Sequence, residues 1–178
     1  MPGMAQKLLL GTVILLLLAI GAWGLAASRR AARFAEVPQN LRHLYEGATV
    51  YAQRYLTRPV KERIKPNFPL SSKITPESPC CHQGKPAACT PGGKTPTSYN
   101  PGEWKTSPFL ELGFELRDPH LYRYSFTSFE PGEELGFEVS AHGDADCDGV
   151  LSRFYRKGRV VGREVTGPLE IFTEHPEE

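Results

Sequence analysis

The run Leu8-Leu-Leu-Gly-Thr-Val-Ile-Leu-Leu-Leu-Leu-Ala-Ile-Gly-Ala-Trp-Gly-Leu-Ala-Ala27 holds 20 residues without a charge. A helix rises about 1.5 Å per residue, so this run is long enough to cross a hydrocarbon core about 30 Å thick. A helix also satisfies its own backbone there. Leu8, Leu16, Trp23 and Ala27 mark the expected membrane anchor, with the Trp23 indole near one interface. A cleaved secretory signal would also begin with a cation such as Lys7, but its apolar core spans only about 7 to 15 residues. The reading is therefore a short segment 1–7 followed by a single transmembrane helix, 8–27.

Downstream, the spacing predicts that helix continues over residues 28–58, bent or restarted at Pro38, which removes a backbone donor. Leu41, Leu44, Tyr45, Ala48, Tyr51, Ala52, Tyr55 and Leu56 recur at spacings of three and four, which makes one face apolar. Arg42, Glu46, Gln53 and Arg54 fall elsewhere on the wheel. Such a stripe needs a covering layer. Pro59 and Pro66 end the helical stretch, and residues 59–107 read as a Pro/Gly-rich, cysteine-bearing loop.

Residues 108–167 change to short β-rich runs: Pro108 to Phe114, Leu121 to Phe129, Leu135 to His142, Leu151 to Arg156 and Arg159 to Val165. Turn signals stand at Asp118-Pro119, Pro131-Gly132, Asp148-Gly149 and Lys157-Gly158. About four antiparallel strands laid on the helix give an α+β body with one buried side. The tail, 168–178, is acidic at its end and is expected to fray.

Charge and cysteine usage point to location. The formal net charge is +1, and no basic patch marks a nucleic-acid partner. Arg29, Arg30 and Arg33 follow the apolar run while only Lys7 precedes it, so the positive-inside rule alone would keep the body in the cytoplasm. The four cysteines, Cys80, Cys81, Cys89 and Cys147, point the other way. An even number in a small, loop-rich body reads as a disulfide framework in an oxidising compartment. Adjacent cysteines do not bond to each other comfortably, so Cys80 and Cys81 are expected to take separate partners among Cys89 and Cys147. Zinc among these cysteines and His82 is disfavoured, because their spacing matches no C-x-x-C pairing.

Asn40-Leu-Arg-His-Leu-Tyr-Glu-Gly-Ala-Thr-Val-Tyr51 is followed by the Cys80-Cys81 pair with Cys89, then Trp104 and Pro119-His-Leu-Tyr-Arg-Tyr-Ser-Phe126. Ala141-His-Gly-Asp-Ala-Asp-Cys-Asp-Gly149 and Ser152-Arg-Phe154 complete the set. Together these segments resemble the pilin-like proteins of myxobacteria and related deltaproteobacteria, over residues 39–165. The resemblance implies a type IV pilin or pseudopilin plan: a helix anchored in the bacterial inner membrane and a C-terminal body in the periplasm or on the cell surface. It implies a minor subunit or accessory of a type IV pilus or type II secretion-like machine, with other pilin subunits as partners through the helix. The alternative is a free-standing anchored binding module. One departure stands out. Candidate cleavage at Gly11-Thr12 or Gly3-Met4 places Leu16 or Leu8 at the fifth mature position, where the family carries a Glu. A non-processed, anchored relative is the corresponding expectation.

Asp144, Asp146 and Asp148 alternate before Gly149, like the first half of a calcium loop. Tyr155 stands where an EF-hand needs its bidentate Glu, so an EF-hand is excluded and a solvated turn held by Asp–amide bonds is preferred. Calcium is the one candidate ligand; no other cofactor is expected. Ser140, His142 and Asp144 sit two apart on one strand and cannot form a nucleophile, base and orienter in sequence order. No enzyme is expected. His43, His82, His120 and His175 read as solvated, and the tyrosines as packing between helix and sheet.

Overall fold

The structure, a computed structural model, describes residues 17–21, 34–57, 68–129 and 135–176. The chain divides into two units, residues 1–36 and 37–178. In the first, residues 17–21 are helical, with Leu17, Leu18 and Ile20 exposed. Leu8, Leu16, Trp23 and Ala27, the arginines that follow them, and segment 1–7 lie outside the described residues. Among the described residues no helix is long and apolar enough to cross a membrane.

Helix α1 spans Glu36–Leu56. The backbone breaks at Ala35 and the helix restarts at Glu36, which places Pro38 in the first turn, where its missing donor costs no intrahelical bond. Val37, Leu41, Leu44, Ala48, Ala52 and Leu56 are buried, so the stripe expected from the sequence is the core face. On the solvent side Arg42 and Glu46 pair at 2.7 Å, one turn apart. The expected helix stops at Pro59 and Pro66 lie outside the described residues.

The main sheet is α1's cover. Strand β5 (Arg123–Phe129) pairs antiparallel with β6 (Gly136–Gly143), and β6 with β7 (Ser152–Val161). Two short strands, β8 (Glu164–Thr166) and β9 (Phe172–Glu174), share the far edge of β7, making a five-stranded antiparallel sheet in an α+β body. Period-two alternation sends Tyr124, Phe126, Phe137, Val139 and Ala141 to the buried face. Asn40 of α1 donates to the Tyr124 hydroxyl at 2.8 Å, and Tyr45 of α1 packs on Phe137 with ring centroids 5.1 Å apart.

Among the described residues, the outer edge of β5 is closed by segment 71–75 rather than by a further strand of the sheet. Ser72 N donates to Phe126 O, and the Ser72 hydroxyl accepts from Phe126 N. Thr75 exchanges both backbone bonds with Tyr124, and the Ser71 hydroxyl accepts from Ser128 N. Side-chain oxygens thus stand in for part of a missing ladder.

The cysteine-bearing segment is more ordered than a loop reading allows. It contains a hairpin of β1 (Cys81–His82) and β2 (Lys85–Pro86), a parallel pair of β3 (Thr90–Pro91) and β4 (Ser98–Tyr99), and a 3-10 turn at Pro101–Lys105. Trp104 of that turn is buried edge-on against Phe109 and Phe114, with centroids 4.8 and 5.4 Å away.

Four expectations are corrected. Pro108 to Phe114 is not a strand: Phe109–Leu112 forms a short helix, α2, ended by Gly113 at φ 67°. The runs on either side of Lys157-Gly158 are one strand, not two. Gly158 is needed there because a Cβ would stand 2.4 Å from the Phe137 ring, and the chain turns instead at Gly162, φ 64°. The tail does not fray throughout, because Tyr155 pairs with Phe172 and their rings stack at 5.4 Å. Last, the sheet has five strands rather than about four. The expected turn at Pro131-Gly132 lies outside the described residues.

Candidate functional site

The chemistry-bearing residues gather at one end of the sheet. Gln83 and Gly84, at φ 51° and 68°, supply the two positive-φ positions that a two-residue hairpin turn requires. They form the tip of the β1–β2 hairpin, a finger whose residues 82–86 are all exposed. Two disulfides hold its base. Cys80 bonds to Cys89 with Cα atoms 4.8 Å apart, and Cys81 bonds to Cys147 with Cα atoms 5.9 Å apart. The adjacent cysteines do take separate partners. One bond closes a local loop, the other ties the finger to the loop after β6, and no cysteine is left free.

The two links sit in different surroundings. Cys89 is fully buried and exchanges both backbone hydrogen bonds with His120, whereas Cys81 and Cys147 are only half-buried. Cys147 lies in the left-handed region at φ 64°, a conformation unusual for a side chain with a Cβ.

Asp144, Asp146 and Asp148 surround Cys147, with one carboxylate oxygen of each within 4.8 Å of the others. Those carboxylates already accept local amides. Asp144 accepts from Gly149 N at 3.1 Å, Asp146 from Asp148 N at 3.2 Å, and Asp148 from Val150 N at 2.7 Å. This is the Asp–amide turn expected from the sequence. The same three side chains could also hold a hard cation, since the second oxygen of Asp144 is buried without a hydrogen-bond partner. The arrangement carries three carboxylates and a glycine, and lacks the closing bidentate acid of an EF-hand.

A second cluster, on the outer face of the sheet, escaped the sequence reading. Ser125 Oγ and His142 Nε2 share a hydrogen bond of 3.0 Å across β5 and β6, and both residues are buried. Burial, then the cations Arg153 and Arg123, push His142 down to about 4, with Glu174 opposing. A histidine that weakly basic is a poor general base at neutral pH. Beside it Glu138 accepts from Ser140 Oγ, pairs with Arg153 and lies 3.7 Å from Lys157; Arg153 also reaches Glu174 at 2.7 Å. These pairs clamp β6, β7 and β9 together. They form no nucleophile–base–orienter set.

His120 is a further correction: it is buried, not solvated. Trp104 Nε1 donates to the Tyr99 hydroxyl at 2.8 Å, and Tyr99 meets His120 Nε2 at 2.8 Å. His120 Nδ1 lies 2.7 Å from the Tyr122 carbonyl, which can only accept, so the proton is on Nδ1 and Nε2 accepts from Tyr99. Burial lowers the His120 pKa and pushes Tyr99 up to about 12, which keeps both neutral. Every polar atom of this relay is satisfied, as a buried network requires.

Among the described residues, open clefts of about 390 Å³ occur at two further places. One is lined by Phe129, Lys157, Arg159 and Thr166, the other by His43, Glu46, Val50 and Leu110. Neither brings a hydroxyl or thiol together with a histidine. No protein-family model, curated protein or solved structure matches the chain.

Proposed function

We propose that this chain is a membrane-anchored structural protein of the pilin-like kind, its body outside the cytoplasm, serving as a minor subunit or accessory of a type IV pilus or type II secretion-like machine. The observation that carries the reading is α1, whose apolar stripe is buried and which packs on an antiparallel sheet through Asn40 and Tyr45, while a disulfide ties the loop after β6 to the cysteine-bearing segment. The exposed finger and the stapled loop after β6 are left available for contacts, and disulfides suit an oxidising compartment. The uncharged run from Leu8 to Ala27 supplies a lipid anchor and, in an assembly, lateral packing between apolar helices.

Leu8 or Leu16 at the position of the family's Glu favours the second reading, an anchored extracytoplasmic binding module in which the helix serves as a tether. Shearing cells and separating filaments from membranes distinguishes the two. For a subunit, the chain co-sediments with filaments, and Leu16→Asp removes it from them while it stays in the membrane fraction. For a tether, the chain is in the membrane fraction alone. A body accessible only from the cytoplasmic side ends both readings.

A further inference from the structure

We propose that the Cys81–Cys147 disulfide is a site of thiol–disulfide exchange, selective for cationic thiols, that opens while Cys80–Cys89 stays closed. Access separates the two bonds. Cys89 is fully buried and held to His120 by two backbone hydrogen bonds, so a thiol reaches it only if the core opens. Cys81 and Cys147 are half-buried and join two surface elements, the exposed finger and the Asp loop. Cys147 also holds a left-handed backbone, in a surface turn kept by the Asp–amide bonds around it.

Charge then selects the reagent. Asp146 and Asp148 flank Cys147 directly, and a carboxylate oxygen of Asp144 lies within 4.8 Å of both sulfurs. Arg123 faces Asp144 and offsets part of this charge, and His82 and Lys85 stand on the finger. The acids nonetheless outnumber the cations on the Cys147 side. An approaching thiolate that carries further negative charge is repelled, and one that carries an ammonium group is drawn in.

The attacking thiolate forms a bond to Cys147 Sγ as the Cys81–Cys147 bond breaks, and the electron pair leaves on Cys81 Sγ, which takes up a proton from solvent. A second thiol resolves the mixed disulfide. Two reductant thiols become one disulfide and the protein gains two thiols. The finger remains closed at its base by Cys80–Cys89, while the Asp loop is released from it.

The full chain in non-ionic detergent is treated with cysteamine or with glutathione at matched thiolate concentration, quenched with N-ethylmaleimide and mapped by mass spectrometry. Cys81 and Cys147 are alkylated first, with Cys80 and Cys89 still paired. Cysteamine reacts about tenfold faster than glutathione, relative to their rates with a small neutral disulfide, and the preference shrinks in about 0.5 M salt. It shrinks likewise in Asp146→Asn/Asp148→Asn; the salt series uses the native sequence and decides the point if that variant misfolds. Alkylation of Cys80 and Cys89 first, or of all four together, overturns the site. A rate ratio indifferent to salt overturns the selectivity.

Discussion

His120 Nε2 stands 2.8 Å from the Tyr99 hydroxyl, and this contact closes a relay from Trp104 to the Tyr122 carbonyl that joins the cysteine-bearing segment to the start of β5. His120→Leu strands the Tyr99 hydroxyl in the core, at a cost of about 2 to 4 kcal/mol. Tyr99→Phe in the same chain removes the stranded hydroxyl but leaves the Trp104 indole N–H without its acceptor, so the double variant loses less than the sum of the two single variants. Urea unfolding of the two single variants and the double variant measures the coupling, and Trp104 fluorescence reports the site directly. Additive losses would show that the relay contributes nothing as a unit.

Acid should weaken the fold in a definite window. Folding depresses both His120 and His142, the latter to about 4, so below about pH 6.5 the unfolded chain binds more protons than the native one. Stability is therefore full above that pH and declines as the pH falls toward 4, by about 1.4 kcal/mol per unit for each fully engaged histidine. Carboxylate titration adds its own loss mainly below about pH 4.5. His142→Gln keeps a polar partner for Ser125 and flattens the slope of urea midpoint against pH between these limits. An unchanged slope would remove His142 from the effect.

Gly47→Ala should destabilise despite alanine's better helix propensity. A Cβ at this position would stand 2.2 Å from the Leu112 carbonyl oxygen, which belongs to backbone and cannot swing away. Overpacking of this kind costs about 1 to 3 kcal/mol, against a propensity gain of about 1. The helix and α2 must part to make room, so the midpoint of thermal unfolding falls; an unchanged or raised midpoint would refute the clash.

Removing the disulfides should have unequal effects. The Cys81–Cys147 link spans 66 residues and the Cys80–Cys89 link spans 9. Chain-entropy estimates give about 4 kcal/mol for the first and about 2.5 for the second. The double serine variant at 81 and 147 therefore loses more stability in urea than the one at 80 and 89; the reverse order would refute the chain-entropy account. These values concern the unfolded chain; the order of reduction in the folded protein follows access instead.

The parts of the fold set by local periodicity were readable in the chain. The stripe from Leu41 to Leu56 is the buried face of α1, and β5 and β6 begin and end within two residues of the alternating runs that announce them. The separate partners of Cys80 and Cys81 followed from covalent geometry. What failed depended on contacts between distant segments. Gly158 reads as a turn in isolation and sits mid-strand because the Phe137 ring occupies the space above it. Phe172 reads as tail until Tyr155 offers it a ring to stack on. His120 follows Asp118-Pro119 and looks like loop, yet Trp104 and Tyr99 arrive from some 20 residues upstream and bury it. The Ser125–His142 pair has no local signal, because its members come from different strands.

The hydroxyls of Ser71 and Ser72, seated along β5, govern how such bodies can crowd together. With that border already satisfied and the opposite one divided between two strands of three residues, the layer offers no continuous template on which another molecule could zip. Neighbouring copies at high concentration must therefore meet through side chains, which keeps their association reversible and guards the population against runaway cross-β aggregation.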